Sequence, residues 1–242
     1  MARVRAVIFD FIGTLTDLVG YFLEDSEDNM FKSLIASGLD LGREEFFEAY
    51  ERAHHEYWNI RYGQLKEVTN AVWISKALSY LGYAVTADDQ RVKTAVNAFF
   101  ENYLGALKLR VNAKKTLQRL SQEYQLGLIS NYTYAPLIYA GLRKLRINGF
   151  FNVVVVSEET GWRKPSPTIF QEALRRLRLK ADQVLYVGDT PLEDIEGAKK
   201  VGMKTVFIPS QFNSLEEMQK AALQPDHVIE KLSDIFRVLD DL

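Results

Sequence analysis

The 242-residue chain has no cysteine. That excludes disulfides, zinc–thiolate centres and a thiol nucleophile, and it fits a reducing compartment. A long apolar run is also lacking. Two arginines, Arg3 and Arg5, stand near the start, but the apolar stretch behind them stops at Asp10. It is too short for a signal peptide or a membrane span. Nor does charge of one sign dominate: 30 Lys and Arg face 32 Asp and Glu, a net charge of −2. Nothing at whole-chain level resembles a nucleic-acid footprint. These absences lead us to expect a soluble cytoplasmic protein with no nucleic-acid or membrane partner. The length allows one domain or a domain with an insert, and a hydrophobic content of 47% is ample for a core.

Periodicity divides the chain unequally. The first strand is expected over residues 5–10. Across 26–104 only helical spacing is visible, as in E-E-F-F-E-A-Y from Glu44 and V-T-N-A-V-W-I-S-K-A-L from Val68. Gly63 and Gly82 read as breaks between helices, and T-A-D-D at 86–89 as a helix start. Beyond this stretch the pattern alternates. Helices are expected at 114–124, 136–147, 167–179 and 192–201, and strands at 125–130, 153–156, 184–188 and 204–208. Alternation with continuously apolar strands implies a parallel sheet covered on both faces. The fold class is therefore α/β, interrupted after its first strand by a helical insert. The expected boundaries are 1–18 and 106–242 for the α/β core and 19–105 for the insert.

Ligands of such sheets bind beyond the carboxyl ends of the strands, so the residues at those ends carry the functional reading. The first strand ends at Asp10 and the second at Ser130-Asn131. The third leads into Gly161-Trp162-Arg163-Lys164-Pro165, and the fourth ends in Gly188-Asp189-Thr190, with Asp194 shortly after. Each has an ordinary explanation alone: a turn aspartate, a turn hydroxyl, a solvated lysine. Together, in order, they suit a phosphoryl group. A carboxylate can attack phosphorus, a hydroxyl and an ammonium can hold its oxygens, and two or three carboxylates can seat a magnesium ion.

These segments resemble the motifs of the haloacid dehalogenase superfamily of hydrolases. D-F-I-G-T-L-T-D resembles the first motif, L-I-S-N the second, G-W-R-K-P-S-P-T-I-F the third and V-G-D-T-P-L-E-D the fourth. The insert resembles the family's helical cap, and the resemblance implies a Rossmann-like core. It implies Asp10 as nucleophile, Ser130 and Asn131 as phosphate ligands, and Lys164 bridging nucleophile and phosphate. Magnesium would be held by Asp10, the Ile12 carbonyl, Asp189 and Asp194, the last directly or through water. Turn amides near Ile12 and Gly13 would share the phosphoryl charge, and Thr14 would steady the loop bearing Asp10. Substrate would enter between core and cap, with hinges near 17–21 and 103–108.

Ile12 departs from the pattern. Family phosphatases carry a second aspartate there as general acid, a contribution of roughly 10²–10⁴-fold. The leading expectation is a magnesium-dependent phosphatase of a small phosphorylated metabolite, working through an aspartyl-phosphate with altered acid–base catalysis. A 2-haloacid dehalogenase also lacks that aspartate, but Gly188-Asp189 weighs against it. A phosphonatase would need a cap lysine, for which Lys66 is conceivable, although an exposed helix lysine is the preferred reading. A non-catalytic phospho-ligand binder is the fourth reading, and retention of every other acid places catalysis ahead of it. His54-His55-Glu56 could supply a surrogate acid, although a packing role is preferred. Glu193 is either an added carboxylate near the metal or a helix-start acid. Tyr132, Tyr134 and Trp162 could line the mouth. Monomer and homodimer are both open.

Overall fold

The structure is a computed structural model that describes residues 3–242; Met1 and Ala2 of the expected core segment lie outside the described residues. The chain divides into two compact units. One runs up to Leu18 and resumes over Leu107–Leu242, and the other is Val19–Ala106.

The first unit begins with β1, Ala6–Phe9, all four residues of which are fully buried. A strand covered on both faces needs no polar alternation, which is why its apolar run is continuous. After the turn at 10–15 comes β2, Thr16–Leu18.

The second unit is helical: α1 Leu23–Ala36, α2 Arg43–Trp58, α3 Asn70–Tyr80 and α4 Gln90–Ala106. Helix α1 packs on α4, and α2 on α3. Their inward stripes are Met30 and Leu34; Phe46, Ala49, Tyr50 and Ala53; Trp73, Ile74, Ala77 and Leu78; and Val92, Val96, Phe99 and Phe100. These fall three and four apart, as a helix face requires. Thr69 caps α3 through its hydroxyl, and Asp89 accepts the Arg91 amide at the start of α4. Gly63 closes a π-helical turn after α2, and Gly82 stands after α3 at φ +87°.

Returning to the first unit, β3, Leu107–Leu109, pairs antiparallel with β2 as a small ribbon. The main sheet then follows: α5 Ala113–Leu120, β4 Gln125–Ser130, α6 Ala135–Lys144, β5 Val153–Val156, the short α7 Ser157–Thr160, α8 Pro167–Leu177, β6 Val184–Gly188, α9 Gly197–Lys200, β7 Lys204–Phe207, α10 Leu215–Gln219, β8 His227–Val228 and α11 Ile235–Asp240. The six strands are parallel in the order β5-β4-β1-β6-β7-β8. Helix α8 buries Ile169, Phe170, Ala173 and Leu177 against Ile8, Val153, Val155 and Tyr186. Burying one such side chain contributes about 1.5–3 kcal/mol.

The expected helix over 192–201 differs in detail. Pro191–Glu196 is a π-helical turn that leads into α9. The ribbon, β8, α10 and α11 were not among the expected elements. No helix among the described residues is long and apolar enough to cross a membrane.

Candidate active site

Parallel register aligns Phe9 with Leu128 of β4 on one side and Val187 of β6 on the other. Asp10, Ser130 and Asp189 therefore leave three neighbouring strands at the same edge. Their environment is dry: Asp10 is 7% exposed, Asp189 and Lys164 1%, and Asp194 0%. Carboxylate oxygens of Asp10, Asp189 and Asp194 come within 4.8 Å of one another.

The three acids look alike in sequence but differ in how many donors they accept. Asp194 is saturated. Its Oδ1 accepts from Lys164 Nζ at 2.6 Å and from the Tyr186 hydroxyl at 3.0 Å, and its Oδ2 from the amides of Asp189 at 3.1 Å and Thr190 at 2.9 Å. Four donors fill the roughly four lone-pair sites of a carboxylate. Asp194, expected as a ligand directly or through water, belongs to the acid cluster that could hold an ion, with its oxygens already engaged by these protein donors. The π-turn produces this arrangement by returning Asp194 beneath Gly188, where any Cβ at 188 would overlap the aspartate side chain.

Asp189 accepts three donors: Thr14 Oγ1 at 3.0 Å on Oδ1, and Ser210 Oγ at 2.7 Å and Asn213 Nδ2 at 3.1 Å on Oδ2. Thr14 thus reaches across to Asp189, rather than bracing only its own loop. Gly13, at φ +95°, lets the turn lie against the same carboxylate, because a Cβ there would run into it. The Gly13 amide, expected to face phosphate, instead donates to Thr16 O at 2.7 Å and closes the turn.

Asp10 is the least engaged. Lys164 Nζ donates to its Oδ1 at 2.6 Å, and among the described residues no side-chain or backbone hydrogen bond to Oδ2 is present. Lys164 is itself held by Tyr186 at 3.2 Å and Ile129 O at 3.3 Å. Its backbone is locked to Asn131: the Lys164 amide donates to Asn131 Oδ1 at 2.7 Å, and Asn131 Nδ2 donates to Lys164 O at 2.9 Å. Asn131, expected on the phosphate, uses its Oδ1 and one N–H of its side-chain amide to orient Lys164. Ser130 is buried at the end of β4, where its backbone pairs with Val156.

Electrostatics follow from this geometry. Burial, with Asp194 and Asp189 adding repulsion, raises the Asp10 carboxyl well above its ordinary range against the pull of Lys164. Burial and Asp194 raise Asp189, against its three donors. Burial disfavours the Lys164 ammonium, but Asp10 and Asp194 outweigh it and hold its pKa well above that of a free lysine. One ammonium among three buried acids leaves two negative charges in excess if all are ionised. Oxygen donors with that excess fit a hard divalent cation.

The remaining candidates lie as follows. Glu193 pairs with Arg163 at 2.8 Å. His54 packs its ring on Trp73, at 4.0 Å, and on Tyr50, at 4.7 Å. Burial, then the charges of Arg61 and His55, pulls its pKa down to about 4, so at neutral pH the ring is neutral and is not the imidazolium that a surrogate acid requires. Tyr186, Ser210, Asn213 and Arg110 were not anticipated. Arg110 donates to Gly13 O at 2.7 Å and to Pro209 O at 2.8 Å, tying two loops of the site together. Ser210 and Asn213 stand beyond the end of β7, so the strand-end rule could have found them. Tyr186 was visible as a lone hydroxyl in an apolar run.

A family model for haloacid dehalogenase-like hydrolase matches residues 7–208. The chain is 30% identical over 245 residues to a glyceraldehyde 3-phosphate phosphatase of Methanopyrus kandleri, covering 99% of this chain and 98% of that one. It is 30% identical over 204 residues to a ribulose-1,5-bisphosphate 5-phosphatase of Halopiger xanaduensis, covering 82% and 84%. In fold it is similar to the crystal structure of a 2-haloacid dehalogenase from Pseudomonas syringae pv. Tomato DC3000, with a TM-score of 0.72 and 24% identity over 98% of this chain and 99% of that one. By the extent of these matches, the chain belongs to the haloacid dehalogenase-like hydrolases.

Proposed function

We propose that the protein is a magnesium-dependent phosphatase of small phosphorylated metabolites, with Asp10 as the nucleophile. The carrying observation is the graded engagement of the three acids. Asp194, with four donors, is an anchor. Asp189, with three, keeps one lone-pair site for a cation. Asp10, with one donor, has an oxygen left to attack phosphorus. Asp10, Asp189 and the Ile12 carbonyl would hold magnesium, which would supply positive charge to offset that of the phosphoryl oxygens.

The chain's own residues do the rest. Lys164 screens Asp10 from its neighbours, so that an anion can approach an anionic phosphate, and it stands ready to share the charge of the transferring group. Ser130, buried at the end of the adjacent strand, would hold a phosphoryl oxygen. The attack breaks the phosphorus–oxygen ester bond, forms the Asp10 acyl phosphate and expels an oxyanion that takes its proton from water; a second water then hydrolyses the acyl phosphate to inorganic phosphate and free Asp10. Ile12 has no proton to donate to the departing oxygen, so alkyl phosphates turn over more slowly than phosphates whose leaving group departs as a stable anion. The curated relatives named as phosphatases of glyceraldehyde 3-phosphate and ribulose 1,5-bisphosphate support a small, phosphorylated, sugar-like substrate.

The test is phosphate release from a panel of triose, pentose, acyl and aryl phosphates, with magnesium and with EDTA. Magnesium-dependent release that disappears in Asp10→Asn is expected. Halide release from a 2-haloacid in EDTA, without phosphate release, would replace this reading with dehalogenation.

A further inference from the structure

The loop after β7 supplies two of the three donors on Asp189, yet it belongs to none of the four segments that carry the family likeness. Its geometry leaves little freedom. The Ile208 amide donates to Gly188 O at 3.0 Å, tying the loop to the strand that delivers Asp189. Arg110 holds Pro209 O, and the Ser210 amide donates to Asn213 O at 2.9 Å. At the far end, Ser214 and Glu217 form a capping box at the start of α10.

Within this frame the Ser210 hydroxyl has one possible orientation. Its oxygen accepts the amides of Phe212 at 3.0 Å and Asn213 at 3.1 Å, which fills both lone pairs. The hydroxyl proton then has a single acceptor left, Asp189 Oδ2 at 2.7 Å. Asn213 Nδ2 reaches the same oxygen at 3.1 Å. Two neutral donors on Oδ2 and Thr14 on Oδ1 hold the carboxylate in place against repulsion from Asp10 and Asp194.

We infer that Ser210 and Asn213 are positioning residues for cation binding: they fix Asp189 so that its remaining lone pair faces the cluster before any cation arrives. This rests on the reading that Asp189 takes up a divalent cation. Donors that orient a metal-binding side chain typically carry 10–100-fold of its affinity, so their loss has a measurable signature apart from turnover.

The experiment titrates Mn²⁺ into the full-length protein after EDTA stripping and counts free ion by electron paramagnetic resonance. Asn213→Ala is expected to raise the Mn²⁺ Kd roughly tenfold or more, and Ser210→Ala at least as much. Ser210→Thr, which keeps the hydroxyl, is expected to retain near-native affinity. Circular dichroism and metal-free melting check the fold. Should Ser210→Ala unfold, Asn213→Ala decides alone, because it leaves the Ser210 turn intact. A native Kd in a folded Asn213→Ala variant overturns the inference, even if its turnover falls. A wild-type protein that binds no Mn²⁺ overturns both the inference and the metal-dependent reading beneath it.

Discussion

Among the described residues Lys164 is the one cation that pairs with the cluster of three buried carboxylates, so replacing it with methionine tests the electrostatic account directly. Methionine fills much of the volume and removes only the charge and its donors. Both ion pairs, to Asp10 and to Asp194 at 2.6 Å, are lost at once. Breaking a buried pair by deleting one partner costs about 3–5 kcal/mol. For a chain of this length each kcal/mol moves the melting temperature by roughly 2–4 °C. The core unit of metal-free Lys164→Met is therefore expected to melt roughly 6–20 °C below wild type at pH 8.

The effect has a definite pH direction. Asp10 and Asp189 already have folded-state pKa values raised by burial and by repulsion from Asp194. A carboxyl raised in the fold contributes stability that is whole below its unfolded pKa and is lost as pH rises through the folded one. Without Lys164 the folded value of Asp10 climbs further, so the deficit shrinks at pH 5 and widens at pH 8. Magnesium should recover part of it by replacing the missing charge. Differential scanning fluorimetry in EDTA and in magnesium, at both pH values, reads all four conditions. A variant that melts within a degree or two of wild type in EDTA at pH 8 refutes the reasoning, as does a deficit that grows on acidification. The converse change, Asp10→Asn, removes a repelled charge and should leave the metal-free protein at least as stable as wild type while abolishing turnover.

Other outcomes follow from single contacts. Ile12→Asp should raise turnover of alkyl phosphates, by up to roughly 10²–10⁴-fold, and leave aryl phosphates nearly unchanged; an unaltered alkyl-to-aryl ratio would mean the proton already comes from elsewhere. Gly13→Ala forces a side chain onto the Asp189 carboxylate at φ +95°, so it should cost roughly 1–3 kcal/mol in urea melts and weaken magnesium activation. His54, with its pKa lowered to about 4, favours the neutral ring in the fold. The unfolded chain binds that proton more readily, so the helical unit should lose stability as pH falls from about 6.5 toward 4, and His54→Gln should flatten that slope in melts followed by fluorescence of Trp58 and Trp73.

Much of the fold was legible because burial on both faces leaves a plain signature. The strands V-V-V-V at 153–156 and V-L-Y-V-G at 184–188 are apolar along their length and coincide with β5 and β6. The helical insert was equally plain, since a stripe such as Trp73, Ile74, Ala77 and Leu78 has one periodic solution. What escaped was short. Ribbon strands of three residues, and the two of β8, hold too few alternations to show a period. Their stability comes from partners far along the chain. The π-turn at Pro191–Glu196 escaped for another reason: its spacing over six residues reads as an ordinary helix.

The site divides along the same line. Residue types were readable, because an aspartate or lysine at a strand end has few places to go in a parallel sheet. How each spends its lone pairs was not, because that depends on loops that meet only after folding. Asn131 illustrates the difference. Its amide suits phosphate as well as any, yet the approach of the 161–165 segment turns it onto the backbone of Lys164. The aspartates make the same point with chemical consequence. Positions 10, 189 and 194 carry one side chain, and a motif can distinguish them only by their order. One, three and four donors separate them physically. The count ranks them from freest to most committed, and only the freest combines a strand-end position with an oxygen left for covalent chemistry.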